Sequence, residues 1–153
     1  MEILRAYTRH LSLIVGLFDE YRQHFSQPSD PEGCRAFLAE RLEKRDSAIF
    51  FASEGSGSFQ KALGLMQLYP TFSSLPLHRI WILSDLYVIP GCRRHGIARV
   101  LHDRARQLAT ETRASGITLA AGRENSMAVR LFEALGYQRE VREHHFYLAV
   151  DPE

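Results

Sequence analysis

The run CRRHGIARVL, from Cys92 to Leu101, places three arginines, a histidine and a glycine at the start of a helical pattern. A helix N-terminus leaves main-chain N–H groups unpaired and carries partial positive charge, so it can hold a phosphate without a dedicated side chain. From Arg93 to Arg113, six arginines stand against only Asp103 and Glu111. Gly96 and Ala98 keep the inner surface of the turn bare, which lets main-chain amides approach a bulky polyanion such as a pyrophosphate. The competing reading is a solvated basic helix face. Neither GxxxxGK[ST] nor GxGxxG occurs, which disfavours a P-loop nucleotidase and a Rossmann dehydrogenase.

The second chemical feature is Asp85, set inside the apolar run RIWILSDLYVIP. A carboxylate in such a strand is costly unless it is paired or functional. It either binds backbone or an arginine structurally, or takes a proton from a substrate. Ser84, on the opposite face, could only position a water. His144 and His145 are adjacent and point to opposite faces of a strand, so no metal site is expected. His95 and His102 are assigned to the basic surface beside the turn.

These residues need elements to hold them. Ile3 to Tyr7 suits a short strand, and Ile14, Leu17, Phe18, Tyr21 and Phe25 recur at helical spacing. In SDPE, Asp30 can cap a second helix with Pro31 at its first position and Phe37, Leu38 and Leu42 on its apolar face. Ile49 to Phe51 and Ala62 to Tyr69, separated by EGSGS, read as a hairpin. YPTFSSLP reads as a loop, and RIWILSDLYVIP as a central strand. Beyond the basic turn, Ile97, Val100, Leu101, Ala105 and Leu108 mark a helix ended by Gly116, and Ile117 to Ala121 a further strand. Strand, helix, strand implies a crossover and a parallel pair. Asn125 can cap a last helix with Ala128, Leu131, Phe132 and Leu135 on its stripe and Gly136 at its end. HHFYLAV alternates as a final strand.

Composition bounds the rest. With 153 residues, 45% hydrophobic and 24% charged, the chain reads as one soluble α/β domain over residues 1–153. A net charge of +1 gives no global attraction to nucleic acid or membrane, so neither is expected as a partner. Cys34 and Cys92 lie far apart and fit no zinc pattern. That spacing, with no apolar leader at the N-terminus, predicts a cytoplasmic protein.

LYVIPGCRRHGIARVLHDRA resembles motif A of the GNAT superfamily of acyl-CoA-dependent N-acyltransferases, whose pattern Arg/Gln-x-x-Gly-x-Gly/Ala is met by Arg93, Gly96 and Ala98. NSMAVRLFEALGYQRE resembles the family's second signature. The similarity runs from about Lys61 to the C-terminus, and the two N-terminal helices fit the same layout. The resemblance implies a GNAT fold: a mixed, mostly antiparallel sheet of about six to seven strands with a parallel pair at the cofactor site, flanked by about four helices. It implies acetyl-CoA as cofactor, with main-chain groups of Leu86, Tyr87 and Val88 on the pantetheine arm. The turn of Arg93, Arg94, His95, Gly96, Ile97, Ala98 and Arg99 then takes the pyrophosphate, and Asn125 lies near the arm's far end. Arg94 stands where the family often has glycine.

The implied reaction is direct transfer of acetyl from acetyl-CoA to a primary amine in a ternary complex. LYPTFSS and WILSDLYV are similar in layout to acetyltransferases of the spermidine/spermine type, which points to a small cationic amine. Asp85 is then the candidate base. Asp19 and Glu20 offer further negative charge, and Tyr69, Phe72 and Trp81 line an acceptor wall. Ser84 falls where some polyamine-acetylating relatives have glutamate. Phe132 occupies the place where many members carry a tyrosine that protonates the departing thiolate, and phenylalanine cannot donate. Tyr87 and Tyr137 are candidate stand-ins, and solvent is a third source. The missing tyrosine also supports the alternative of a non-catalytic acyl-CoA-binding sensor module. The terminal strand, as an edge, suggests a homodimer.

Overall fold

A computed structural model describes residues 1–151, so the last two residues of the domain expected over 1–153 lie outside the described residues. Strand β2 (Ala48–Glu54) is buried from Ala48 to Ser53. Its unbroken apolar run is what a strand covered on both faces requires. It sits between β1 (Glu2–Arg5) and β3 (Lys61–Ser73), and β3 pairs in turn with β4 (His78–Val88). These pairings are antiparallel, whereas β4 pairs parallel with β5 (Gly116–Thr118), giving a five-stranded sheet ordered β1-β2-β3-β4-β5.

Helices α1 (Leu11–His24) and α2 (Pro31–Lys44) cover one face, and α3 (Ile97–Glu111) covers the other. Ile14, Phe18, Leu38, Ile49, Phe51 and Leu65 fill the first layer. Phe50, Met66, Leu68, Trp81, Leu101 and Ala105 fill the second. Asp30 caps α2 as expected, accepting the Gly33 N–H at 2.9 Å, with Pro31 opening the helix. Phe25 and Phe37 lie off the buried stripes and are exposed, as is Val100 on α3.

Residues 1–120 form one compact unit, and a second begins at Ala121. In the second unit, α4 (Ser126–Ala134) starts at Asn125, whose Oδ1 accepts the Ala128 N–H at 3.2 Å. Leu135 is buried, and Phe132 meets Tyr137 edge-on at 5.8 Å.

Four sequence expectations need correction. The described residues hold five strands rather than six to seven, because HHFYLAV joins no ladder and leaves Phe146, Tyr147, Leu148 and Val150 exposed. Alternation sets which side chains share a face but supplies no partner strand. YPTFSSLP is not all loop: β3 continues through Pro70 to Ser73, and the turn is confined to residues 74–77. Pro70 is tolerated because β2 pairing stops at Leu68, so that stretch of β3 is an edge where a missing N–H costs little. Strand β5 ends at Thr118 instead of Ala121, since β4 offers it no ladder beyond Ile82. His102 is not on the basic surface. It is buried in α3, where burial and then Arg106 hold its imidazole below the ordinary value.

The β3–β4 pairing skips one residue. Gln67 faces Asp85 and Leu68 faces Leu83, leaving Ser84 as an unpaired bulge. Close by, Gly64 faces Val88, and a β-carbon on Gly64 would stand 2.9 Å from the Tyr87 carbonyl oxygen and 3.2 Å from Val88 Cγ2. Both strands are held by ladders, so neither backbone can retreat cheaply. Gly64→Ala is expected to lower stability by about 1–3 kcal/mol in denaturant unfolding. An unchanged midpoint would show that β4 yields there.

The α1–α2 junction rests on Asp19. Its buried carboxylate accepts the Asp30 N–H at 2.7 Å, the Ser29 hydroxyl at 2.7 Å and the Gln23 amide at 3.1 Å, with Arg22 at 3.8 Å. The Asp30 and Ser29 hydrogen bonds hold its pKa below the ordinary carboxylate value. The unfolded chain therefore binds the extra proton, and this stabilisation is present above the unfolded value and lost as pH falls through the folded one. Asp19→Asn is expected to lower the unfolding midpoint at neutral pH and to flatten its fall at acid pH. An acid limb as steep as that of the unsubstituted protein would remove Asp19 as its source.

Candidate active site

The bulge at Ser84 decides which side chains meet. In unbroken alternation Trp81, Leu83, Asp85 and Tyr87 would share one face. With Ser84 extruded, Trp81, Leu83, Leu86 and Val88 point towards α3, while Asp85 and Tyr87 point towards α1. Ser84 itself is exposed. Bulges are common beside functional sites because they re-aim single side chains in this way.

Asp85 is half-buried and held through both oxygens. The Tyr21 hydroxyl donates to Oδ1 at 3.0 Å, and Gln67 Nε2 donates to Oδ2 at 2.9 Å. Gln67 is buried, and its own Oε1 accepts the Ser47 hydroxyl at 2.9 Å, which fixes the amide's orientation from both ends. Burial and then the Asp85 charge push the Tyr21 phenol well above its ordinary pKa, so it stays a donor. Tyr69 lies within electrostatic reach of Asp85, and burial with that charge raises its phenol to about 12. No arginine or lysine pairs with Asp85 among the described residues. The carboxylate is fixed by neutral donors, which orient it without cancelling its charge.

Tyr87 extends this face. Its hydroxyl donates to Glu20 Oε2 at 3.1 Å, and its ring lies 5.7 Å from Tyr21 and 5.8 Å from His24. Burial, and then the bond to Glu20, raise its phenol above the ordinary value. Phe25 packs edge-on against Tyr21 at 5.3 Å. Two carboxylates and several rings therefore share the α1 side of the sheet.

Not every predicted contributor is there. Trp81 is buried under α3 on the other face, and its indole N–H donates to Thr112 Oγ1 at 2.8 Å. It joins the end of α3 to β4 and lines no acceptor wall. Phe72 is exposed beneath the Arg79 guanidinium at 5.3 Å. Asp19 is committed to the α1–α2 junction, as described above. Sequence reasoning missed Tyr21 and Gln67 as partners of Asp85. Tyr21 read as one more stripe residue, but a tyrosine is the one type on that stripe that needs a hydrogen-bond partner when buried.

The basic turn lies beyond the strand's open edge. The β4–β5 ladder covers only Ile80 to Ile82, and past it no described strand pairs with β4 opposite β3. A short 3₁₀ turn over Pro90–Cys92 leads to Arg93, Arg94, His95 and Gly96, all exposed. Arg93 is anchored: its Nε donates to the Val88 carbonyl at 3.0 Å and its guanidinium lies 5.3 Å over the Tyr87 ring. Arg94 has φ +65° and Gly96 φ +80°, both in the left-handed region. Arg94 thus adopts a backbone that glycine takes with less strain.

Gly96 opens α3, and no side chain caps that helix. Its first amides are accordingly unpaired, and nothing lies within 4 Å of where a Gly96 β-carbon would be. Ile97 is buried in the α3 layer, which holds the helix start against the sheet. An uncapped helix start, a bare glycine and exposed Arg94 and Arg99 fit a phosphate-bearing group. Arg104 does not contribute, since it lies 4.7 Å over the Phe50 ring and 3.7 Å from Glu111.

Comparison with known proteins agrees with this geometry. The model of the GNAT acetyltransferase family matches residues 14–137. Over 150 residues, 98% of each chain, the sequence is 39% identical to the uncharacterized N-acetyltransferase YhfO of Bacillus subtilis (strain 168). It is 28% identical to a probable acetyltransferase of Haemophilus influenzae, over 98% of this chain and 99% of that one. A crystal structure of a probable acetyltransferase superposes with TM-score 0.90 at 36% identity over the whole of both chains. The fold alone is shared with an aminoglycoside acetyltransferase from an uncultured soil sample, at TM-score 0.80 and 20% identity over 98% and 96% of the two chains. A family model that spans most of the chain and a relative 39% identical along nearly its whole length show that the chain belongs to the GNAT family of acetyltransferases.

Proposed function

We propose that the protein transfers the acetyl group of acetyl-CoA to the primary amine of a small acceptor, cationic at its reacting end, in a ternary complex. The observation that carries this reading is Asp85, a carboxylate held by Tyr21 and Gln67 with no cation paired to it. Both compact units are taken as one GNAT domain, because the family match crosses the boundary between them.

Acetyl-CoA supplies a thioester carbonyl open to attack by nitrogen. The first amides of α3, Gly96 and the side chains of Arg94 and Arg99 would hold its phosphates, and the main chain from Leu86 to Val88 its arm. Arg93 serves that site by fixing the turn to Val88, and the Val88 carbonyl is already engaged by it. Asn125 is assigned the arm's far end from the family resemblance, although its Oδ1 is engaged as the cap of α4.

Asp85 attracts the acceptor's ammonium and takes a proton from it, directly or through a water that Ser84 could position, which frees the lone pair for attack. A bond forms between nitrogen and the acyl carbon, the bond from that carbon to sulfur breaks, and the second proton shed by the nitrogen passes to the departing thiolate or to solvent. Tyr21 and Gln67 keep both oxygens of Asp85 oriented throughout. Tyr69 lies on the acceptor side, and Glu20 adds negative charge there. Phe132 offers no proton, so the departing sulfur needs none from α4, because a thiol leaves readily as thiolate near neutral pH.

Thiol release from acetyl-CoA with a panel of amines tests the reaction. Asp85→Asn is expected to lower kcat by about 10²–10⁴-fold while acetyl-CoA binding persists. Equal rates in both proteins would remove Asp85 as the base. Gly96→Ala puts a β-carbon on the left-handed opening residue of α3, at a backbone cost of about 1–3 kcal/mol. It is expected to weaken coenzyme A binding in calorimetry by at least tenfold; unaltered affinity would place the phosphates elsewhere.

A further inference from the structure

The sheet face that carries Asp85 is covered by helices over only part of its width. On that face α1 and α2 bury Ile49, Phe51, Leu65 and Tyr87. Towards the start of β4, the ladders place Tyr69 opposite Ile82 and Thr71 opposite Ile80, with Gly116 and Thr118 of β5 on the other side of the two isoleucines. Trp81 and Leu83 point into the α3 layer, so Ile80 and Ile82 point the opposite way, to the side of Asp85. Ile82 and Thr118 are exposed, and Ile80, Thr71 and Tyr69 are half-buried. Neither isoleucine belongs to either packed layer. Gly116 adds no side chain there, and nothing lies within 4 Å of where its β-carbon would stand. The result is a bare shelf across β3, β4 and β5.

The shelf begins beside the carboxylate. Gln67 faces Asp85 and Tyr69 faces Ile82, so a two-residue step along β3, about 7 Å, separates Asp85 from Ile82. Tyr69 stands at the border, where burial, and then the Asp85 charge, hold its phenol neutral. The shelf's own side chains carry no charge. Asp46, the other acid that acts on Tyr69, is held by Arg41 at 2.8 Å. An ammonium fixed at Asp85 therefore leaves the rest of its molecule over isoleucine and threonine side chains. An apolar body there leaves water at a gain, whereas a second charge would lose hydration and find no partner.

We propose that this shelf is the subsite for the acceptor's body, and that the acceptor is a primary amine on an uncharged apolar chain or ring of about six carbons, enough to span about 7 Å. Ile82 sets the preference, as the exposed apolar side chain closest in register to Asp85. This rests on the reading of Asp85 as the acceptor's base. It narrows the acceptor from cationic amines in general to singly charged ones, and disfavours diamines and polyamines.

Two measurements test it. The first compares hexylamine, ethylamine and 1,6-diaminohexane as acceptors. Each methylene that leaves water is worth about fourfold in affinity, so hexylamine is expected to lead both others in kcat/KM by about tenfold or more. Ile82→Glu is expected to put the diamine ahead of hexylamine. Ile82→Ser, which adds no charge, is expected to collapse the ratio of hexylamine to ethylamine towards one. No lead for hexylamine over either amine, or ratios unmoved by both substitutions, would overturn the proposal while leaving acetyl transfer intact. The second measurement follows the Ile80 and Ile82 methyl signals by nuclear magnetic resonance as hexylamine is added. Saturable shifts are expected, and their absence would overturn the subsite. Saturable shifts with no transfer to any of the three amines would instead overturn the reaction assigned to Asp85, and with it the shelf's role as an acceptor subsite.

Discussion

The extra residue in β4 is the constraint on which the rest of this fold depends. Because the side-chain period of a strand is two, a single insertion exchanges the faces of everything beyond it. Here it sends Leu86 and Val88 into the layer beneath α3 and turns Asp85 and Tyr87 towards α1. Without the bulge, an aspartate would sit beside Trp81 and Leu83 in an apolar layer, at a cost of several kcal/mol unless it stayed protonated. The bulge lies next to the point where β4 and β5 stop pairing, so the re-aimed carboxylate and the open strand edge arise from one local irregularity.

Helix α1 is then bound to the sheet by the same side chains that make up the candidate site. Tyr21 reaches Asp85 and Glu20 reaches Tyr87, each at hydrogen-bond distance. Neither contact needs a charge to be neutralised by an opposite charge. A salt bridge to Asp85 would hold the helix as well but would cancel the negative potential on which the proposed role of Asp85 rests. Neutral donors fix a carboxylate in place and still leave it able to accept another hydrogen bond on each oxygen.

Much of this was legible from residue types, and the misses have physical causes. The basic turn, the Asp30 and Asn125 caps and the parallel pair follow from local chemistry, where a few adjacent residues determine the outcome. Trp81 reads as sharing a face with Asp85 because a bulge has no signature in a run of apolar residues, and alternation counted from either end of β4 disagrees with itself at Ser84. The arginine neighbours of His102 point to a surface residue, although it directly follows Leu101 and stands three residues before Ala105 on the buried stripe.

The net charge of +1 conceals two opposed fields, and Tyr87 stands where they meet. Arg93 lies over its ring at 5.3 Å, and Glu20 accepts its hydroxyl at 3.1 Å. Arg93 and Glu20 in direct contact would form a salt bridge and cancel, leaving neither a positive rim for a polyanion nor a negative one for an amine. With an aromatic ring between them, each charge has a favourable neighbour: the guanidinium has the ring face and the carboxylate has the hydroxyl. The pair stays bound to the fold and unspent on each other. The proposed reaction, which sets a polyanionic donor beside an ammonium-bearing acceptor, needs both fields to survive folding, and one buried tyrosine keeps Arg93 and Glu20 apart.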